Sequence, residues 1–379
     1  MTEIPSTNAT HATAPPPPVR LTELMRCGPT QAPVTSALLV LNGLVFALML
    51  LAGAGLWHTP NGVQLAWGAN FGPATQDGQW WRLFTALFIH FGVLHLALNM
   101  GALWDVGRLV ERVYGRSRFA LLYLGSGLLG NLVSLVLHGN QAVSGGASGA
   151  IFSLYGALLV FLWRERQQLD PGEFRWLFGG ASAFSLLMLG MGWMVPGIDN
   201  AAHGGGLVAG ALWGSVLARP WTAHSAQPRR GHWAAALVLA VGSAALWVYL
   251  PEPSYRFGEE LKARAAIQRF LREDQRISQR WGSLLDTGRR EGLSFDQLAG
   301  QIDTDVTAVY EKSFAQLMAA DPGSAAPSAP TLEALQTYAT QRVQASRDLA
   351  QGLRARDPVK IRGALERAQK PPASQAAQP

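Results

Sequence analysis

From residue 32 to 250 the chain repeats one pattern, a long apolar run followed by a short polar cluster. A helix crossing ~30 Å of hydrocarbon at about 1.5 Å per residue needs roughly 20 apolar positions. Seven segments fit: 34–57, 93–110, 119–137, 147–163, 174–194, 202–217 and 233–250. Several hold Gly, Ser, His or Asn, which suit close helix packing and a polar interior better than lipid contact. The middle segments are therefore expected to form the core of a bundle. Beyond residue 251 the period changes to that of a soluble amphipathic helix, with Leu261, Ala265, Ile267, Phe270 and Leu271 at helical spacing among charges. Helices are expected from about residue 255, at 295–319, and at 331–368 after the proline-bearing breaker 322–330. The pattern thus predicts an all-α polytopic membrane protein with a soluble helical C-terminal region.

Composition agrees: 49% of the 379 residues are hydrophobic and 15% are charged. The net charge of +6 does not come from one basic patch beside aromatic stacking positions, so no nucleic acid partner is expected. The basic residues instead mark alternate loops. Arg108, Arg112, Arg116 and Arg118 follow the second segment, Arg164, Arg166 and Arg175 the fourth, and Arg219, Arg229 and Arg230 the sixth. Arg82 alone lies in the loop after the first. By the positive-inside rule the N-terminus is cytoplasmic, and seven spans leave the C-terminal region extracytoplasmic. The loop at 58–91, entered at Trp57, carries Trp67, Trp80 and Trp81, and indole rings favour the membrane interface. Cys27 is the only cysteine, which excludes an internal disulfide and a cysteine metal cluster. The proline run at 15–18 and the mixed charges of Glu3, Arg20, Glu23 and Arg26 fit neither a signal peptide nor a transit peptide. Residues 1–32 are expected to be a disordered, retained cytoplasmic tail, in a bacterial plasma (inner) membrane, and 371–379 a second disordered tail.

Certain polar residues need an explanation. His95 and Asn99 are spaced i, i+4 and share one helix face. They are either a bonded polar pair or two donors aimed at a developing negative charge. In Gly145-Gly146-Ala147-Ser148-Gly149 the glycines permit a tight turn and expose a hydroxyl, although such a run is also an ordinary small-residue helix contact. Gly206, Gly210 and Gly214 form a stripe without side chains, one turn beyond His203. If the Ser148 segment packs on that stripe, Ser148 and His203 meet near the external end. The set then reads as nucleophile, base and oxyanion donors. Asp199, one turn before His203, is a candidate third acid. Ligation of a metal by His95, Asp199 and His203 in a transporter is a competing reading, and it leaves the Gly-Ala-Ser-Gly turn unexplained.

With Trp81-Arg82, His95 and Asn99, Glu111-Arg112 and Gly115, Gly146-Ala147-Ser148-Gly149, and Ala202-His203 with Gly206 and Gly210 in this order, the chain resembles the rhomboid family from about Trp81 to Gly214. The resemblance implies a six-helix catalytic core, here 33–220, and an intramembrane serine protease. Its Ser148–His203 dyad needs no cofactor and no metal. It implies oxyanion stabilisation by His95, Asn99 and the Ser148 amide. Active-site support is implied for Gly146, Gly149, Phe152, Trp81, Arg82, Glu111, Arg112, Gly206 and Gly210. The fifth span and the loop at 195–200 would correspond to the substrate gate and cap. Substrates would be single-span transmembrane proteins within the lipid bilayer; a catalytically inactive, helix-binding relative would share the fold. Phe152 stands where some members carry a tyrosine, which keeps the aromatic face and loses a hydroxyl. The loop and seventh span at 221–250 and the soluble helical region at 251–370 lie outside that core, and the latter is expected to be a helical bundle or an arm for a protein partner.

Overall fold

The structure, a computed structural model, describes residues 20–25, 28–139, 141–219 and 229–368. These residues are predominantly helical, and an isolated antiparallel bridge joins Asn70 to Ser144. The chain divides into two compact units, Met1–Thr75 with Trp80–Pro251, and Gln76–Gln79 with Glu252–Pro379.

The long helices of the first unit are α1 (Pro33–Leu51), α2 (Val93–Tyr114), α3 (Arg116–His138), α4 (Ser148–Glu165), α5 (Pro171–Met194), α6 (Asn200–Leu217) and α7 (Arg229–Val248). Each expected apolar segment falls on one of them. The first ends early: Gly53 takes a φ of +95°, and Gly53 and Ala54 donate back to Leu50 and Met49. That is the double-bonded glycine stop of a helix, which the apolar pattern running on to Trp57 does not reveal.

Among the described residues four helices are long and apolar enough to cross a membrane: α1, α3, α5 and Gly231–Val248 of α7. A fifth span arises if Arg82–Phe88 and α2, bent by 91° at the intervening break, count as one. The other expected spans fall on α2, α4 and α6, which are helical but less apolar along their length. Helices α4 and α6 fall short because much of their surface faces protein, so glycine, serine and histidine replace the residues lipid would require. A Cβ on Gly206 would lie 2.1 Å from the Gly149 carbonyl oxygen, one on Gly210 2.0 Å from that of Ser153, and one on Gly156 2.1 Å from that of Leu207. The two backbones touch along three turns. Gly130 of α3 meets Ala202 and Gly206 in the same way, so α6 is wedged between α3 and α4.

Polar side chains fasten the helix ends. Buried Glu111 accepts from the amides of Val34 and Thr35 at 3.0 and 2.8 Å and from the Thr35 hydroxyl at 2.8 Å, which caps α1 from α2. Glu173 does the same for a short helix, Leu21–Met25, through the Leu21 and Thr22 amides, and Leu21 is fully buried. Residues 20–25 are thus packed structure rather than the tail expected there; residues 1–19 and 371–379 lie outside the described residues. Glu111→Ala leaves those donors buried without an acceptor, at a cost of about 2–3 kcal/mol. A lower unfolding temperature in detergent, with the site's reactivity kept within about threefold below that temperature, is the expected measurement.

The second unit contains α8 (Phe257–Glu291), α9 (Phe295–Ile302), α10 (Ala308–Met318), α11 (Ala329–Ala355) and α12 (Pro358–Ala368). The helix expected at 295–319 carries a π-helical turn at Asp303–Thr307, and the one expected at 331–368 breaks at Arg356, with a φ of +53°, just ahead of Pro358. On α8 the buried stripe is Ala263, Ile267, Phe270, Ile277, Trp281 and Leu284. Leu261, Ala265 and Leu271, expected to share it, are exposed. Arg342 is buried in this unit, donating to the Tyr310 hydroxyl at 2.9 Å and standing 3.6 Å from Asp274.

Candidate active site

Three helices contribute their first turns. Ser148 is the first residue of α4, His203 the fourth of α6, and His95 the third of α2. Ser148 Oγ and His203 Nε2 are 2.8 Å apart, within hydrogen-bond reach. The glycine contacts explain this juxtaposition. Gly149 and Gly206 lie against each other, so the residues one and three positions before them are carried to the same level of the bundle. Phe152, one turn into α4, stacks on the His203 ring with centroids 4.5 Å apart and planes at 15°, which limits how the imidazole can turn. His203 Nδ1 is buried and without a hydrogen-bond partner.

Ser148 opens a helix, so its amide is among the N–H groups that an α-helix leaves without an internal acceptor, at the positive end of the helix dipole. Gly146, with a φ of +131°, donates to the Ala86 carbonyl at 2.8 Å and turns the chain into α4. A Cβ there would stand 2.9 and 3.1 Å from His95 Cε1 and Nε2 and 3.7 Å from Ser148 Oγ. Gly146 therefore leaves the space in which the His95 ring approaches the serine. The Phe91 amide donates to His95 Nδ1 at 3.4 Å, which makes Nδ1 the acceptor and leaves the proton on Nε2, the nitrogen that faces Gly146. Asn99 spends one Nδ2 proton on the His95 carbonyl at 2.8 Å, so the pair is bonded within its helix and keeps its second amide proton for another acceptor.

The remaining candidates act at a distance. Buried Arg82 donates to the carbonyls of Leu65 and Ala69 at 2.7 and 3.1 Å and packs its guanidinium over the half-exposed Trp81. It fixes the loop that ends at Asn70, which in turn pairs with Ser144 through two backbone bonds of 2.8 Å. Glu111 and Arg112 lie about 24 Å along α2 from His95 at 1.5 Å per residue. They sit at the α1 cap, where Arg112 reaches Gln31 at 3.4 Å, so any support they give the site passes through the fold and not through contact.

Sequence reading missed other neighbours. Phe184 of α5 reaches Phe152 at 6.3 Å and Tyr155 at 4.5 Å, extending the aromatic stack from His203 to the fifth helix. The three-residue aromatic step on α4 from Phe152 to Tyr155 is the available signal. Helix α5 buries only the stripe Leu177, Ala181 and Ser185, and exposes Trp176, Leu186, Leu187, Trp193 and Met194. His90, fully buried, lies with its ring 5.2 Å from that of His95. Asp199 caps α6 by accepting from Ala202 at 2.9 Å and also takes the hydroxyls of Ser134 and Ser144, both at 2.5 Å. Among the described residues no three His, Cys, Asp or Glu side chains are grouped to hold a metal ion.

An all-helical, multi-pass membrane protein with a serine and a histidine paired between glycine-packed helices defines a narrow class. The Rhomboid domain family model matches residues 77–220. The chain is 37% identical over 186 residues to Rhomboid protease GluP of Bacillus subtilis (strain 168), covering 49% of this chain and 35% of that protein. It is 37% identical over 145 residues to Putative rhomboid protease YdcA of the same organism, covering 38% of this chain and 70% of that one. RHOMBOID-like protein 5 of Arabidopsis thaliana is 37% identical over 146 residues, 45% of its length. The chain belongs to the rhomboid family, although it spans only about a third of the length of GluP.

Proposed function

We propose that this chain is an intramembrane serine endopeptidase that cleaves single-span transmembrane proteins near the extracytoplasmic face. The observation that carries the reading is the 2.8 Å contact between Ser148 Oγ and His203 Nε2, beside donors suited to an oxyanion. Neutral His203 takes the Ser148 proton as Oγ attacks a peptide carbonyl. The new oxyanion is met by the Ser148 amide, His95 Nε2–H and the second Asn99 amide proton, each such donor contributing on the order of 3 kcal/mol to the transition state. Collapse returns the proton from His203 to the departing amine and leaves an acyl-serine. A water activated by His203 then hydrolyses that ester and restores the hydroxyl. No metal or cofactor enters the scheme.

A half-buried serine at a helix start can attack only an accessible carbonyl, and a membrane helix hides its carbonyls in its own hydrogen bonds. Substrates should therefore carry helix-weakening residues near the outer end of their span. The thin contact of α5, and the aromatic contacts of Phe184 with Phe152 and Tyr155, support entry between α5 and the core. The arginine-rich loops support a cytoplasmic N-terminus in the plasma (inner) membrane, with the soluble helical region of 251–370 outside as an arm for a protein partner.

The test is labelling of the purified full-length chain by a fluorophosphonate probe, with the adduct located by mass spectrometry. A single adduct on Ser148, together with cleavage of a single-span reporter reconstituted in liposomes, is the expected result. Absence of any adduct under conditions where the protein is folded would remove the reading, and metal-dependent transport by the same liposomes would replace it.

A further inference from the structure

We propose that Asp199 is a positioning residue: its carboxylate latches the loop that carries Ser148 to the helix that carries His203. This rests on the protease reading above. Ser144 stands four residues before Ser148, and Asp199 four residues before His203. Through Oδ2 the carboxylate accepts the hydroxyls of Ser144 and Ser134, each at 2.5 Å, and through Oδ1 it accepts the Ala202 amide at 2.9 Å. His138 Nδ1, on a half-exposed side chain, lies 3.5 Å from Oδ1. One group thus ties together the serine's loop, the end of α3 and the start of α6.

The loop has little room to drift elsewhere. The Ser144 amide and carbonyl are both bonded to Asn70, and Asn70 Nδ2 donates to the Asn131 carbonyl at 3.1 Å. Ser134 and Ser144 are buried, so their hydroxyls would lose their shared acceptor if the carboxylate were removed. Hydroxyl bonds to an ionised carboxylate are short and strong, which suits a joint that must hold two reacting atoms in register. The same bonds argue against a third catalytic acid. The carboxylate is engaged by several donors, and His203 Nδ1 is left without a partner.

The test compares wild type with Asp199→Ala, Asp199→Asn and the double variant Ser134→Ala/Ser144→Ala. Readouts are the Ser148 phosphonylation rate, kcat and KM on the reporter, and the unfolding temperature. Asparagine caps helices as well as aspartate, and serine hydroxyls can turn to accept from its amide. Asp199→Asn should therefore keep the phosphonylation rate within about fivefold of wild type. Asp199→Ala should lose about 100-fold in that rate and in kcat, the scale of a misplacement near 1 Å, with KM little changed. The double serine variant should lose activity too, although α6 remains capped. A wild-type rate for Asp199→Ala or for the double variant would overturn the latch. Inactivity of Asp199→Asn as complete as that of His203→Ala would overturn it in favour of a catalytic acid. Should Asp199→Ala fail to fold, the double variant decides. An unlabelled wild type would instead defeat the protease reading.

Discussion

Ser148→Ala is expected to abolish probe labelling and reporter cleavage, and His203→Ala to slow both by about 10³-fold, with the unfolding temperature in each case close to that of wild type. The two effects differ because the two groups do different things. Removing Oγ removes the atom that forms the bond, so nothing remains to be acylated. Removing the imidazole leaves the hydroxyl, its helix-terminal amide and His95 in place, and a weakly nucleophilic alcohol can still react slowly in a site arranged for its transition state. Neither change should unfold the bundle. Serine to alanine deletes one atom at a helix start. Histidine to alanine uncovers one face of Phe152, while α6 stays fixed to α3 and α4 by backbone contacts that do not involve the ring. Undiminished labelling in either variant would show that the 2.8 Å contact is incidental to reactivity.

Gly206→Val is expected to cost most of the fold as well as the activity. Even its Cβ would lie 2.1 Å from the Gly149 carbonyl oxygen and 2.9 Å from the carbonyl carbon, with backbone rather than a yielding side chain in the way. Helices α4 and α6 would have to separate along the line that sets the dyad distance. Overfilling a packed interior costs about 1–3 kcal/mol, and more where backbone must move. We expect a large drop in unfolding temperature and loss of labelling of at least about 100-fold in whatever protein remains folded. Gly204→Ala is the matched control: it adjoins His203, yet a Cβ there meets nothing within 4 Å. It should be neutral or slightly stabilising, since alanine is the better helix former. Equal damage from both substitutions would mean that glycine matters here for helix flexibility and not for close approach.

Much of this was legible in the chain itself. The four-residue step of Gly206, Gly210 and Gly214 announced a close helix contact, and the structure puts Gly149, Ser153 and Ala157 against it. The spacing of His95 and Asn99 placed both on one helix face, but whether they bond each other or a substrate was open; the carbonyl of His95 takes one Asn99 proton. Glu111 and Arg112 stood in the same sequence window as the site residues. The basic loop after the second segment already set Arg112 apart from them, and the length of α2 gives the separation, about 24 Å from His95.

The sequence by itself determined the helices, their order and the residues able to carry serine chemistry, because hydrophobic period, glycine spacing and loop charge act over neighbouring positions. The tertiary structure decided which polar groups are partners. The Asp199 carboxylate bonds the hydroxyls of Ser134 and Ser144 and not the His203 ring, Phe184 joins the aromatic stack that covers His203, and Glu173 buries Leu21 under its cap. Those pairings join positions dozens of residues apart, and hydrogen bonds that reach only about 3 Å are fixed by how helices pack, which no local pattern records.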